Sequence, residues 1–143
     1  MGRILALDVG RRRIGLAIAL EGSAAHGLGA LVRRSLRDDV ERLKRMAQER
    51  SVERFVVGLP LNMDGSESPM AREVRVFGER LQRETGIEVL YQDERLTSFE
   101  AEERLKQRGM SLKRMLEAKR QGAVDEMAAV IVLEDYLERA DRA

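Results

Sequence analysis

Residues 3–20 read RILALDVGRRRIGLAIAL. Two apolar runs, 3–8 (RILALD) and 13–20 (RIGLAIAL), stand either side of Gly10 and three arginines, the pattern of two antiparallel strands joined by a tight turn. The first strand ends on an acid, Asp8, which a strand with no other charge in its middle has no packing reason to carry.

Outward from this hairpin, 26–33 (HGLGALVR) is a third candidate strand, weakened by its two glycines. Leu36, Val40, Leu43 and Ala47 recur at helical spacing and predict an amphipathic helix over 37–50 with one face on the sheet. The run 54–60 (RFVVGLP) is short, β-branched and closed by Pro60, as a buried parallel strand would be. After the polar loop LNMDGSES, Ser68-Pro69 is a helix start, because proline at the first helical position forfeits no hydrogen bond. Met70, Val74, Phe77 and Leu81 mark that helix's buried face and Gly86 lies past its end. Residues 87–91 (IEVLY) form the next strand; Thr97 and Glu100 stand at capping-box spacing, which puts a helix start near 98 and makes QDERL a loop. A Gly- and Arg-rich stretch around 108–122 then precedes a last helix, 123–140. The order β-β-β-α-β-α-β-α-α predicts an α/β fold: a mixed five-stranded sheet, three antiparallel strands then helix-linked parallel strands, flanked by helices.

A chain of 143 residues suits one domain. Its 43% hydrophobic and 36% charged content excludes a disordered chain, and 3% aromatics point to an aliphatic core. With no cysteine, disulfides, thiolate zinc sites and cysteine nucleophiles are ruled out. The start, MGRILALDVGRRR, has the pattern of neither a signal peptide nor a membrane span, so a cytoplasmic location and no membrane partner are expected. The net charge of +1 hides an uneven distribution. Arg11, Arg12 and Arg13 are contiguous, and 106–120 holds Lys106, Arg108, Lys113, Arg114, Lys119 and Arg120 against Glu117 alone. A solvated face is the ordinary meaning of such a run, and phosphate binding the alternative.

Functional residues of open α/β sheets gather where strand ends and loops converge. Asp8 ends its strand, Glu94 follows the strand at 87–91, and Asp125 opens the last helix. Singly, each has an ordinary explanation as a turn former, a solvated loop charge or a helix N-terminal acid. Together they make a carboxylate cluster from distant segments, the oxygen-donor set that Mg²⁺ or Mn²⁺ takes, as one ion or two. Other chemistries are poorly supplied. The single histidine, His26, sits in the weakest strand, no Ser/His/Asp arrangement can be built around it, and neither a Walker pattern nor G-x-G-x-x-G occurs.

Four blocks, ALDVGRRRIGLAIA (6–19), VVGLPLNMDGSESP (56–69), DERLTSFEAE (93–102) and VDEMAAVIVLEDYL (124–137), resemble in sequence and spacing the YqgF/RuvX family of RNase H-like nucleases, also called pre-16S rRNA nucleases or Holliday junction resolvase-like proteins. The resemblance implies an RNase H-like fold and puts the family's three acidic positions on Asp8, Glu94 and Asp125. It also implies that Asn62 and Arg95 shape the site and that Lys119 and Arg120 match a basic stretch before the last acid. Two positions depart from the pattern. Gly10-Arg11-Arg12 replaces the usual Gly-Thr-Lys, and Ala128 and Ala129 stand where related resolvases carry a fourth acid.

In this context the basic residues Arg11, Arg12, Arg13, Lys113, Arg114, Lys119 and Arg120, with Asn62 and Arg95, become expected nucleic-acid contacts. The function expected is a divalent-metal-dependent endonuclease processing the 5′ end of precursor 16S rRNA. The alternatives are a four-way DNA junction resolvase, a non-catalytic nucleic-acid-binding module, and a lobe of the actin and Hsp70 kind, which needs a second lobe to enclose nucleotide. Expected partners are structured RNA or branched DNA, with no small-molecule cofactor, for a monomer or homodimer.

Overall fold

The computed structural model describes residues 2–20 and 22–142. In chain order the elements are β1 (Arg3–Val9), β2 (Arg13–Leu20), β3 (His26–Val32), α1 (Leu36–Glu49), β4 (Val52–Leu59), α2 (Pro69–Thr85), β5 (Glu88–Asp93), α3 (Thr97–Gln107), α4 (Leu112–Arg120) and α5 (Ala123–Arg142). The five strands form one sheet in the order β3-β2-β1-β4-β5. β1 pairs antiparallel with β2, Asp8 opposite Gly15, and β2 antiparallel with β3, whereas β4 runs parallel to both β1 and β5. This is the mixed five-stranded α/β arrangement that the sequence predicts.

The period-2 alternation of the strands separates two cores. Leu5, Leu7 and Val9 of β1, Ile14 and Leu16 of β2, and Phe55, Val57 and Leu59 of β4 belong to one, packed with Val40 and Leu43 of α1 and Val74, Phe77 and Leu81 of α2. Ile4, Ala6, Ala17, Ala19 and Val56 face the other way, against Ala129, Val132 and Leu133 of α5. Each large side chain so buried contributes on the order of 1.5–3 kcal/mol. A third cluster, with Ala101, Leu105, Met115 and Ile131, seats α3 and α4 on α5.

Helix ends follow their sequence signals in part. The Ser35 hydroxyl accepts from Asp38 N and that of Ser68 from Ala71 N, with Pro69 leading α2 and Gly86 closing it at φ 70°. The capping box expected at Thr97 does not form. Gln92 and Asp93 belong to β5, and Glu94 N still donates to Leu59 O on β4, so strand pairing runs two residues into the expected loop. Thr97 is left as the first helical residue, buried, with Leu96 at the cap position and no side-chain cap. The stretch 108–122, which reads as a spacer in the sequence, contains α4: Ser111 caps it, and Met115 and Ala118 bury one narrow face. The core is not purely aliphatic, since Phe55 and Phe77 are among its largest buried side chains. Among the described residues no helix is long and apolar enough to cross a membrane.

Candidate active site

Alternation along β1 sends Leu7 and Val9 into the α1/α2 core and leaves Asp8 between them on the α5 side. Glu94, one residue beyond β5, reaches the same side, and the two carboxyl groups hydrogen-bond each other. Such a bond between two acids requires a proton. Burial raises Asp8 to about 6, with the Asp125 charge adding to the rise and the bond from Glu94 opposing it. Burial raises Glu94 to about 10, and the Asp8 charge and its hydrogen bond add to the shift. Burial and proximity thus both work against full ionisation of the pair. Asp125, third residue of α5, is raised by burial and lowered by the Arg13 guanidinium.

Small residues make room for this cluster. A Cβ on Gly15, opposite Asp8, would collide with the backbone carbonyl of Asp125, so only glycine lets the start of α5 rest on β2. A Cβ on Gly58 of β4 would lie 2.5 Å from Glu94 Oε2. Neither glycine stands out in the sequence, although a glycine inside a strand signals close approach of other atoms.

The remaining expected site residues fall into two groups. Arg11 and Arg12 stand exposed on the β1–β2 turn, and Lys113, Arg114 and Arg120 are exposed on α4. Lys119 is exposed too but pairs with Glu102 at 2.6 Å. Arg13 is engaged within the fold: its guanidinium donates to the Lys119 and Arg120 carbonyls and links the end of α4 to β2 beside Asp125. Asn62 closes the 62–66 turn through Ser66, 2.9 Å from Nδ2 to Oγ. Arg95 joins two loops, donating to Asp93 Oδ2 at 2.8 Å and to the Met63 carbonyl at 3.0 Å. His26 lies apart, in a cleft of about 420 Å³ that none of the three acids lines.

Asp8, Glu94 and Asp125 offer only oxygen donors, the chemistry that suits a hard divalent cation. Among the described residues no three acidic or imidazole side chains are already drawn into a metal cage. The fit rests on the Asp8–Glu94 pair, two carboxyl groups that burial and each other's proximity keep from ionising freely, with the Asp125 charge beside them.

Residues 2–139 match the family model RuvX, described as Holliday junction resolvase. A protein of Anaeromyxobacter sp. (strain K) named "Putative pre-16S rRNA nuclease" is 45% identical over 138 residues, 96% of this chain and 97% of the relative. One of the same name from Synechococcus elongatus is 44% identical over 135 residues, 94% of this chain and 87% of the relative. Among solved structures, Thermus thermophilus RuvC superposes with a TM-score of 0.56 at 15% identity, covering 96% of each chain, which supports the RNase H-like fold.

Proposed function

Because the chain belongs to the RuvX family, we propose that it is a divalent-metal-dependent endonuclease that hydrolyses phosphodiester bonds at Asp8, Glu94 and Asp125, acting in 5′-end processing of precursor 16S rRNA. The observation that carries the reading is the buried Asp8–Glu94 carboxyl pair beside Asp125. Two acids forced together cost stability unless a proton or a cation sits between them, so the arrangement is hard to explain as packing. The curated relatives' names supply the rRNA substrate.

Asp8, Glu94 and Asp125 would hold Mg²⁺ or Mn²⁺. When bound, the cation supplies the Lewis acidity that phosphodiester hydrolysis requires. The rest falls to the chain. The sheet and α5 bury the carboxylates and keep their geometry fixed, while Gly15 and Gly58 leave the volume they occupy. Arg11 and Arg12, beside Asp8 in sequence, and the α4 cations Lys113, Arg114 and Arg120 would bind backbone phosphates; Lys119 would join them by exchanging Glu102 for a phosphate. Arg13 offsets part of the burial that raises Asp125 and anchors α4 to the site.

The test is incubation of purified protein with precursor 16S rRNA, unstructured single-stranded RNA and a four-way DNA junction, with Mg²⁺ or Mn²⁺ and with EDTA. Cation-dependent cutting at discrete positions in the precursor is expected. Preferential cutting of the junction would make the chain a resolvase. Binding without cutting would make it a recognition module, and cutting that survives EDTA would end the metal mechanism.

A further inference from the structure

The one charged residue with no exposed surface among the described ones is Asp39, on the opposite side of the sheet from the carboxyl pair. It is wholly buried in the first turn of α1. Burial alone would raise its carboxyl, yet hydrogen bonds from Arg34 N, Arg33 and Arg42 bring it below the usual range. Its partners are close: Arg33 Nε at 3.0 Å, Arg34 N at 3.0 Å and Arg42 Nη2 at 2.7 Å. A buried charge so fully paired is costly to assemble and more costly to break. Tying β3 to α1 would need only Arg42, which also reaches the Val32 carbonyl at 2.8 Å.

Arg33 does something further. Its Nη1 donates to the Gly10 carbonyl at 2.9 Å and its backbone N donates to the Arg12 carbonyl at 2.8 Å. One residue thus grips the β1–β2 turn at two points, while Gly10 N closes the turn on Arg13 O at 2.9 Å. The guanidinium is immobilised from behind by Asp39 and lies over the Phe77 ring, 5.3 Å from its centre. What the grip leaves outside are the side chains of Arg11 and Arg12, both exposed.

We propose that Arg33, locked by Asp39, is a positioning residue that fixes the Gly10–Arg12 turn so that Arg11 and Arg12 are presented to phosphates flanking the scissile bond. The proposal rests on the nuclease reading for the identity of the ligand. Its geometry does not. A planar guanidinium spans Asp39 and the Gly10 carbonyl together, whereas a lysine ammonium at the same position keeps the charge and reaches only one of them.

That difference supplies the experiment, on the full chain with Arg33→Lys, Asp39→Asn and, as control, Arg42→Lys, each below its own melting temperature. Hydrogen exchange of the 9–13 segment is read without nucleic acid. Binding of a fluorescent precursor 16S rRNA leader and of a four-way DNA junction is read over a salt series in EDTA. Arg33→Lys is expected to speed exchange in the turn and to weaken binding about tenfold, with a salt slope shallower by roughly one phosphate contact. Asp39→Asn should act in the same direction and add little in the double variant, since both residues hold one turn. Arg42→Lys should lower the melting temperature while leaving turn exchange and affinity unchanged. Wild-type exchange and affinity in Arg33→Lys would overturn the proposal, as would an Arg42→Lys variant that matches it in both. A wild-type protein that binds neither probe would end the nuclease reading, and the exchange contrast would still decide the grip on the turn.

Discussion

The two faces of the sheet are written by the same strands and do different work. Toward α1 and α2, β1, β2 and β4 present Leu5, Leu7, Val9, Ile14, Leu16, Phe55, Val57 and Leu59, large side chains that fill a core. Toward α5 they present Ile4 and Val56 but otherwise the small residues Ala6, Ala17 and Ala19, with Gly15 and Gly58 beside the acids. Small residues let α5 lie close to the sheet and leave a volume at the strand ends that the three acids occupy. Each face also carries buried carboxyl charge, treated in opposite ways. Asp39 is matched by arginines and held ionised, while Asp8 and Glu94 are matched by each other and held partly protonated. A fully compensated acid belongs to the scaffold; the uncompensated pair is what the proposed cation would neutralise.

The contrast can be broken most strongly at the pair itself. Glu94→Gln should keep the fold and lower the cleavage rate roughly a thousandfold, about 4 kcal/mol of barrier, measured in single-turnover assays. On the other face the loss should appear in stability. Leu16→Ala, at a buried position, should cost about 2–5 kcal/mol in urea unfolding with cleavage unimpaired below the melting point. Gly58→Ala tests the small-residue face, where the new methyl would press on the Glu94 carboxyl. About 1–3 kcal/mol of destabilisation is expected, with a drop in cleavage that Leu16→Ala does not show.

Acidity separates the faces again. Asp8 and Glu94 titrate higher when folded than unfolded, so the folded state binds more protons and metal-free stability should fall as pH rises from the ordinary carboxylate range through about 6 and toward about 10. Asp39 has the opposite sign, contributing stability above its unfolded value that is lost as pH falls through its lowered one. Denaturant unfolding across a pH series, with EDTA and with Mg²⁺, reads both. Mg²⁺ should flatten the alkaline decline, and a stability that rises in EDTA from about pH 6 to about pH 10 would contradict the buried pair. The smallest effect is expected at the surface: neutralising Lys113, Arg114, Lys119 and Arg120 together should weaken nucleic-acid binding and flatten its salt slope without altering unfolding.

The strands, most helices and the three acids are legible in the sequence. The apolar runs 3–8 and 13–20 mark the strands, and an acid ending an apolar strand stands out against them. The three acids are marked by their places at element ends, and the structure joins Asp8 to Glu94 with Asp125 close enough to raise its neighbour. What escapes the sequence has no period or a misleading one. α4 is nine residues, LKRMLEAKR, whose cations outnumber the two residues it buries. Thr97 and Glu100 have the spacing of a capping box, but the helix starts one residue earlier than the box requires, with Thr97 already helical and Leu96 at the cap position. Arg13 and Arg33 read as members of basic runs, and only the folded chain brings them to the α4 carbonyls and the Gly10 carbonyl. A glycine in a strand announces close approach without saying of what, so Gly15 and Gly58 acquire meaning only when Asp125 and Glu94 arrive from distant segments.

The most direct measurement is single-nucleotide mapping of a 5′-extended precursor 16S rRNA after incubation with Mg²⁺ and either wild-type protein or Asp8→Asn, both verified as folded. If the carboxyl pair on the small-residue face is the catalytic centre, wild type yields a discrete new end and Asp8→Asn yields none. Equal cleavage by the two proteins would contradict it.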